Sequence, residues 1–183
     1  MKVNVSVENY YQYAFPMPTV LITCNDDKGK TNIVTVAWHT TLSRKPPFYG
    51  VSLASKRYSY ELIKKTKEFA INFIPYELGR KAHFCGTHSG RRTDKAKETN
   101  LQMEPAKKIR TPILTDAYVN FECTLHHEIP VGDHILLVGE VVAVHAEEHA
   151  FINDILNTDH TQPLWYLGNN RYTTLDKTKV FTF

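Results

Sequence analysis

The chain has 183 residues, 42% hydrophobic and 22% charged, with a net charge of +3, enough apolar material for one globular unit with its own core. It contains no run of 18 apolar residues, and its start, "MKVNVSVENYYQYAF", lacks a basic stretch followed by an apolar one, so neither a helical membrane span nor a signal peptide is expected and the reading is a single cytoplasmic domain over residues 1–183. Cys24, Cys85 and Cys123 form no close pair, which argues against a disulfide framework and a paired structural zinc site and leaves buried free thiols as the expectation.

The charge is unevenly placed. From Lys56 to Arg110 fourteen Lys and Arg stand against six Asp and Glu, so this segment carries +8 and the remainder −5. These basic residues interleave with apolar positions at helical spacing, and no aromatic-basic RNA motif accompanies them. A local anion site is therefore read in preference to a nucleic-acid surface.

In chain order, "TVLITC" (19–24) and "NIVTVAWHTTL" (32–42) are rich in β-branched residues and flank the turn formers of "NDDKGK", a hairpin pattern. "FYGVSLA" (48–54) follows two prolines and reads as a strand. "SYELIKKTK" (59–67) places Leu62, Ile63 and Thr66 on one face of a short helix, with Ser59 as its expected N-cap. "FAINFIP" (69–75) reads as a strand, "ELGRKAHFCGT" (77–87) as a helix ending at Gly86, and "HSGRRTDKAKETN" (88–100) as a polar loop. Two long strands, 117–129 and 134–146, are joined by the turn "PVGD". Many strands with short helices between them favour a mainly β fold, a barrel with helical additions, over a parallel sheet.

The stretch "SLASKRYSYELI" concentrates Ser52, Ser55, Arg57 and Ser59 at a strand-to-helix junction. Hydroxyls, a guanidinium fork and the free amides of a helix start are the donors a phosphate requires. A second basic loop, "HSGRRTDKAKE", could close on the same anion. Other patterns carry less. "HAEEH" (145–149) has the letters of a zinc motif but follows a β-branched run and not a helix, and adjacent histidines in "HHE" (126–128) point to opposite faces of a strand, so no metal site is expected. Cys85, beside Gly86 and near His88, lacks a demonstrated basic partner, so a reactive thiol is not the expectation there.

Four segments, "PMPTVLITCNDDKGKTNIVTVAWHT", "KPPFYGVSLASKRYSYELIKKTKEFAINFI", "FCGTHSGRRTDK" and "GDHILLVGEVV", together resemble the flavin reductase-like family of FMN-binding split-barrel proteins, from about Pro16 to Val142. The resemblance implies a six-stranded Greek-key split β-barrel with helical additions, a homodimer, and non-covalent FMN near the subunit interface. It assigns Asn32, Thr35 and Ala37 to the isoalloxazine edge; Trp38, which follows, is either a wall of the flavin site or core. Ser52, Ser55, Arg57 and Ser59 match the phosphate-binding strand end, Asn72 the asparagine whose partner is the ring system or the neighbouring backbone, Ser89, Gly90 and Lys95 the following loop, and His134 a histidine near the barrel mouth.

No residue is assigned as a general acid or nucleophile, because the chemistry belongs to the flavin. The implied activity is that of an FMN-dependent oxidoreductase, either an NAD(P)H-dependent flavin reductase or a flavoredoxin-like carrier served by a redox-partner protein; a non-catalytic flavin-storage or sensing module is the alternative. The absence of a GxGxxG segment suits a nicotinamide nucleotide that binds transiently. Arg91 and Arg92 are candidates for a second phosphate group, and Trp165, Tyr166 and Tyr172 either cover the flavin or pack a dimer.

Overall fold

The computed structural model describes residues 1–179. Its main elements are β1 (Val20–Asn25), β2 (Thr31–Val36), β3 (His39–Arg44), β4 (Pro47–Ala54), α1 (Tyr58–Thr66), β5 (Glu68–Phe73), α2 (Gly79–Thr87), α3 (Lys95–Thr99), β6 (Val119–Val131) and β7 (His134–Ala146).

Seven strands form one antiparallel sheet in the order β2-β1-β5-β6-β7-β4-β3. Its two edge strands, β2 and β3, are consecutive pieces of one chain segment interrupted only at Ala37 and Trp38, and the Trp38 carbonyl accepts a hydrogen bond from Ser52 N–H at 2.9 Å. Counted as one bent strand, they close the sheet into a six-stranded barrel. β1, the bent strand and β4 follow one another as hairpins, and β5 returns through α1 to lie beside β1, which is the Greek-key order. The mainly β split-barrel expectation holds. The expected single strand over 32–42 is in fact bent at Ala37–Trp38, and that bend opens the candidate site.

β1 is buried at all six positions because both of its faces are covered. Val20, Ile22 and Cys24 point into the barrel with Val34, Val51, Phe69, Ile71 and Leu137, whereas Leu21 points outward with Ile33 into a second cluster with Ala82, Cys85, Leu101 and Leu114 beneath α2 and α3. The β6–β7 turn is two residues, Gly132 and Asp133, with Gly132 at φ +59, a left-handed conformation suited to a tight hairpin.

Three local expectations are corrected. α1 begins at Tyr58 with Arg57 at its N-cap position and no side-chain cap; Ser59 lies buried inside the first turn, its hydroxyl turned inward to accept from Asn32 Nδ2 at 2.8 Å. α2 runs through Gly86 to Thr87, because Gly86 packs on the Thr35 side chain instead of turning the chain. The polar loop contains the short helix α3, started by Asp94, whose carboxylate accepts from Lys97 N–H.

Two segments distant in sequence lie near the bent strand. A 3-10 helix spans Val7–Ala14, and the strands Trp165–Gly168 and Arg171–Thr173 form a hairpin that pairs with Met17–Pro18. Among the described residues, no helix is long and apolar enough to cross a membrane.

Candidate functional site

The bend at Ala37–Trp38 leaves a cavity of about 440 Å³ between the ends of β2 and β4, the start of α1 and the β6–β7 turn. Of the residues singled out in the sequence, Thr35, Ala37, Trp38, Ser52, Arg57, His134 and Tyr166 line it, whereas Trp165 and Tyr172 do not. Val34, Val36, Leu53 and Ala54 supply an apolar floor, and Tyr11, Gln12, Phe15, Tyr166, Gly168, Asn169 and Asn170 close the outer side.

Each polar group has a structural reason for its place. Arg57 projects from the N-terminus of α1, where the helix amides and dipole favour an anion, and it enters no ion pair among the described residues. His134 opens β7; its Nδ1 lies 2.7 Å from Asp133 Oδ1 and its ring 4.9 Å from the Trp38 indole. That hydrogen bond holds the Asp133 carboxyl below its ordinary range. Thr35 donates from its hydroxyl to the Ala82 carbonyl, tying β2 to α2 at the cavity edge. Trp38 lines the cavity and is not a member of the barrel core.

The remaining expected residues lie elsewhere. Asn32, Ser59, Gly90 and Lys95 interlock behind the cavity: Asn32 Nδ2 donates to Ser59 Oγ, Gly90 lies so close to Asn32 Oδ1 that no Cβ could be accommodated, and the buried Lys95 ammonium donates to the Ile33 and Cys85 carbonyls, both at 2.7 Å. Burial also lowers the pKa of Lys95. Ser89 is exposed and accepts from Arg91 N–H, and Ser55 is exposed in the turn before α1. Asn72 finds its partners in protein: it donates to the Leu21 carbonyl and Thr23 hydroxyl and accepts from Leu114 N–H and Asn120 Nδ2. None of these seven positions lines the cavity: Ser55 and Ser89 are exposed, and Asn32, Ser59, Asn72, Gly90 and Lys95 are taken up by packing or hydrogen bonds within the protein.

Arg91 does not stand free for a second phosphate. It pairs with Glu61, and its guanidinium lies 4.8 Å from the Tyr58 ring. Burial pushes the Cys24 thiol up to about 12 and the Cys85 thiol up to about 11, away from thiolate chemistry. His145 is bonded to the buried Glu122, and the His149 ring packs against His160. Among the described residues, no group of three or more His, Cys, Asp and Glu is disposed to hold a metal ion.

Sequence reasoning missed most of the outer wall. Tyr11, Gln12 and Phe15 come from a segment with no strand or helix periodicity, and Gly168, Asn169 and Asn170 form a turn with all three residues at positive φ. The aromatic run "YYQYAF" and the "GNN" tripeptide were the available signals.

A family model described as "flavin reductase like domain" matches residues 12–175. An uncharacterised protein of Pyrococcus abyssi is 34% identical over 77% of this chain and 80% of its own length. Among solved structures, a flavoredoxin from Methanosarcina acetivorans superposes with a TM-score of 0.82 at 26% identity, covering 97% of this chain and 91% of that one. An FMN-binding protein from Thermus thermophilus, solved with bound p-hydroxybenzaldehyde, superposes with a TM-score of 0.83 at 29% identity over 100% of this chain and 98% of that one.

Proposed function

Because the chain belongs to the flavin reductase-like domain family, we propose that its cavity holds FMN non-covalently and that the protein is an oxidoreductase passing electrons through that cofactor. The observation that supports the reading is convergence: Thr35, Ala37, Ser52, Arg57 and His134, each assigned to the flavin site by the sequence resemblance, line one cavity together with Trp38, for which a wall of that site or the core had both been open. The donor set suits a flavin mononucleotide. The wall combines apolar side chains for a planar ring system with hydroxyls and one guanidinium for a phosphate, in a volume within the usual range for ligand pockets.

Bound there, the flavin would supply a ring that accepts and returns two electrons. The protein's own work is binding and orientation. Arg57 anchors the phosphate as a planar fork at the start of α1, assisted by the Ser52 hydroxyl. Trp38 and the apolar floor exclude water from one side of the ring. Asp133 holds the His134 imidazole by its Nδ1, which fixes how that ring faces the cavity.

Electrons enter, in this reading, from a nicotinamide nucleotide or from a redox-partner protein, and the working unit is a homodimer. Anaerobic mixing of the FMN-loaded chain with NADH or NADPH tests the donor. A fast, saturable loss of the flavin absorbance band is expected for a direct reductase. Bleaching by dithionite but by neither nucleotide would rule that out and leave the carrier or storage roles.

A further inference from the structure

Trp38 lines the candidate cavity, and the residue after it turns its ring elsewhere. His39 opens β3 and packs on the barrel interior, stacked with the buried Tyr49 at 5.7 Å and edge-on to Phe73 at 6.0 Å. Both of its nitrogens are engaged. Nε2 lies 3.0 Å from the Pro18 carbonyl and Nδ1 lies 2.7 Å from the Tyr49 hydroxyl. A carbonyl oxygen only accepts, so Nε2 carries a hydrogen, and a neutral ring then takes the Tyr49 hydrogen on Nδ1. Burial favours that neutral form: it holds the His39 pKa below its ordinary value and pushes the Tyr49 phenol up to about 12.

The two bonds reach both sides of the cavity. Tyr49 belongs to β4, the strand that continues to Ser52 and Leu53 in the inner wall. Pro18 pairs with Trp165 as Met17 pairs with Tyr166, and the hairpin they join carries Tyr166 and Asn170 into the outer wall. Backbone bonds tie each wall separately, Ser52 N–H to the Trp38 carbonyl at 2.9 Å and Thr19 N–H to the Leu164 carbonyl at 2.8 Å. The His39 ring bridges the two.

We infer that His39 is a positioning residue of the candidate site, a side-chain pin that fixes the Trp38 wall and the hairpin wall at one separation. As a statement about flavin, this rests on the FMN reading above. His39 does not line the cavity and acts through Trp38 and Pro18. Adjacent side chains of an extended strand diverge, so anchoring the His39 ring inside the barrel directs the Trp38 indole out over the cavity. Protonation would place a hydrogen on Nδ1 and force the Tyr49 hydroxyl to turn from donor to acceptor in a buried site, which loosens the pin. The titratable groups about the ring are Tyr49 on β4 and Tyr10 and Tyr11 of the 3-10 helix, which share an outer cleft with it; β5 presents Phe73, and among the described residues His39 enters no ion pair.

The test is FMN affinity, by fluorescence titration, in folded His39→Leu, His39→Gln and Tyr49→Phe chains. Alongside it, acrylamide quenching is read in flavin-free chains carrying Trp165→Phe, so that Trp38 is the one tryptophan. His39→Leu should weaken FMN by about three- to thirtyfold and Tyr49→Phe by about two- to tenfold, the range that one or two lost hydrogen bonds support. Glutamine keeps a donor and an acceptor on one planar group, so His39→Gln should stay within about threefold of wild type at neutral pH. Acrylamide should reach Trp38 more readily in His39→Leu. As pH drops through the lowered His39 value, below about 6.5, wild-type affinity should fall relative to His39→Gln, because the amide does not titrate and the FMN phosphate titrates alike in both. Wild-type FMN affinity in folded His39→Leu, equal losses in His39→Gln and His39→Leu, or coinciding pH profiles would overturn the pin while FMN binding stands. A wild-type chain that takes up no FMN would overturn the flavin reading, and Trp38 then decides the pin alone: acrylamide access unchanged in His39→Leu overturns it, and increased access upholds it.

Discussion

The His134 imidazole lies 4.9 Å from the Trp38 indole with the planes tilted by 39°, so the tip of the β6–β7 hairpin and the bend between β2 and β3 are joined at one point of the barrel rim. The cavity exists because of this junction. One strand turns away from its partner at Ala37–Trp38, and the turn that begins β7 comes up beside the break.

Arg57→Ala should weaken FMN binding about ten- to a hundredfold, the loss expected when a charge-assisted contact worth roughly 1.5–3 kcal/mol is removed. Riboflavin, which lacks the phosphate, should bind both proteins nearly equally. Fluorescence titration with the two ligands separates the outcomes. Equal losses for both would assign Arg57 to folding.

Asn72 should behave as a stability residue. Replacing it with Ala takes the partner from the Leu114 amide and from the Leu21 carbonyl, and leaves Asn120 Nδ2 with the Leu114 carbonyl alone, a cost of about 2–4 kcal/mol at one to a few kcal/mol per buried unpaired group. Urea unfolding should show that loss. The folded fraction should retain the wild-type FMN affinity, and a selective loss of affinity at unchanged stability would return Asn72 to the cofactor site.

Glu122 sets an acid limit on stability. Its fully buried carboxylate loses solvation, which alone would raise its pKa, but N–H donors from Lys107, Lys108 and Ile109 and the His145 ring outweigh that and hold the pKa below the ordinary glutamate range. A depressed folded-state pKa contributes stability above the unfolded value, near 4.3, and that contribution is lost as pH falls through the folded value. The denaturation midpoint should therefore fall steeply below about pH 4.3. Glu122→Gln should be less stable at neutral pH by about 1–3 kcal/mol and show a shallower acid limb, whereas an unchanged limb would remove Glu122 from the account.

The barrel was legible because its strands announce themselves locally. β-branched runs bounded by Gly, Pro and Asn specify β1, β4 and β7 almost to the residue, and "PVGD" marks the β6–β7 turn. The bend was not legible, since "NIVTVAWHTTL" has uninterrupted strand propensity and the break comes from closing the sheet. For the candidate site, Arg57, Ser52 and Thr35 stood out as donors in the right order. Ser59, Asn72, Lys95 and the Asn32 Nδ2 looked similar in sequence but are bonded inside the protein, a distinction that depends on burial and partners and not on residue type. The outer wall escaped because its residues, 11–15 and 166–170, are far apart in sequence and meet only in the fold.

The most direct measurement is an equilibrium titration of the flavin-free chain with FMN, following tryptophan emission in the wild type and in Trp38→Phe. Trp38 lines the cavity, so saturable quenching at one FMN per chain, with a micromolar or tighter dissociation constant, is predicted for the wild type, together with loss of most of that quenching but not of FMN binding in Trp38→Phe. Absence of saturable binding, or quenching unchanged by the removal of Trp38, would contradict a flavin seated at the bend of the barrel.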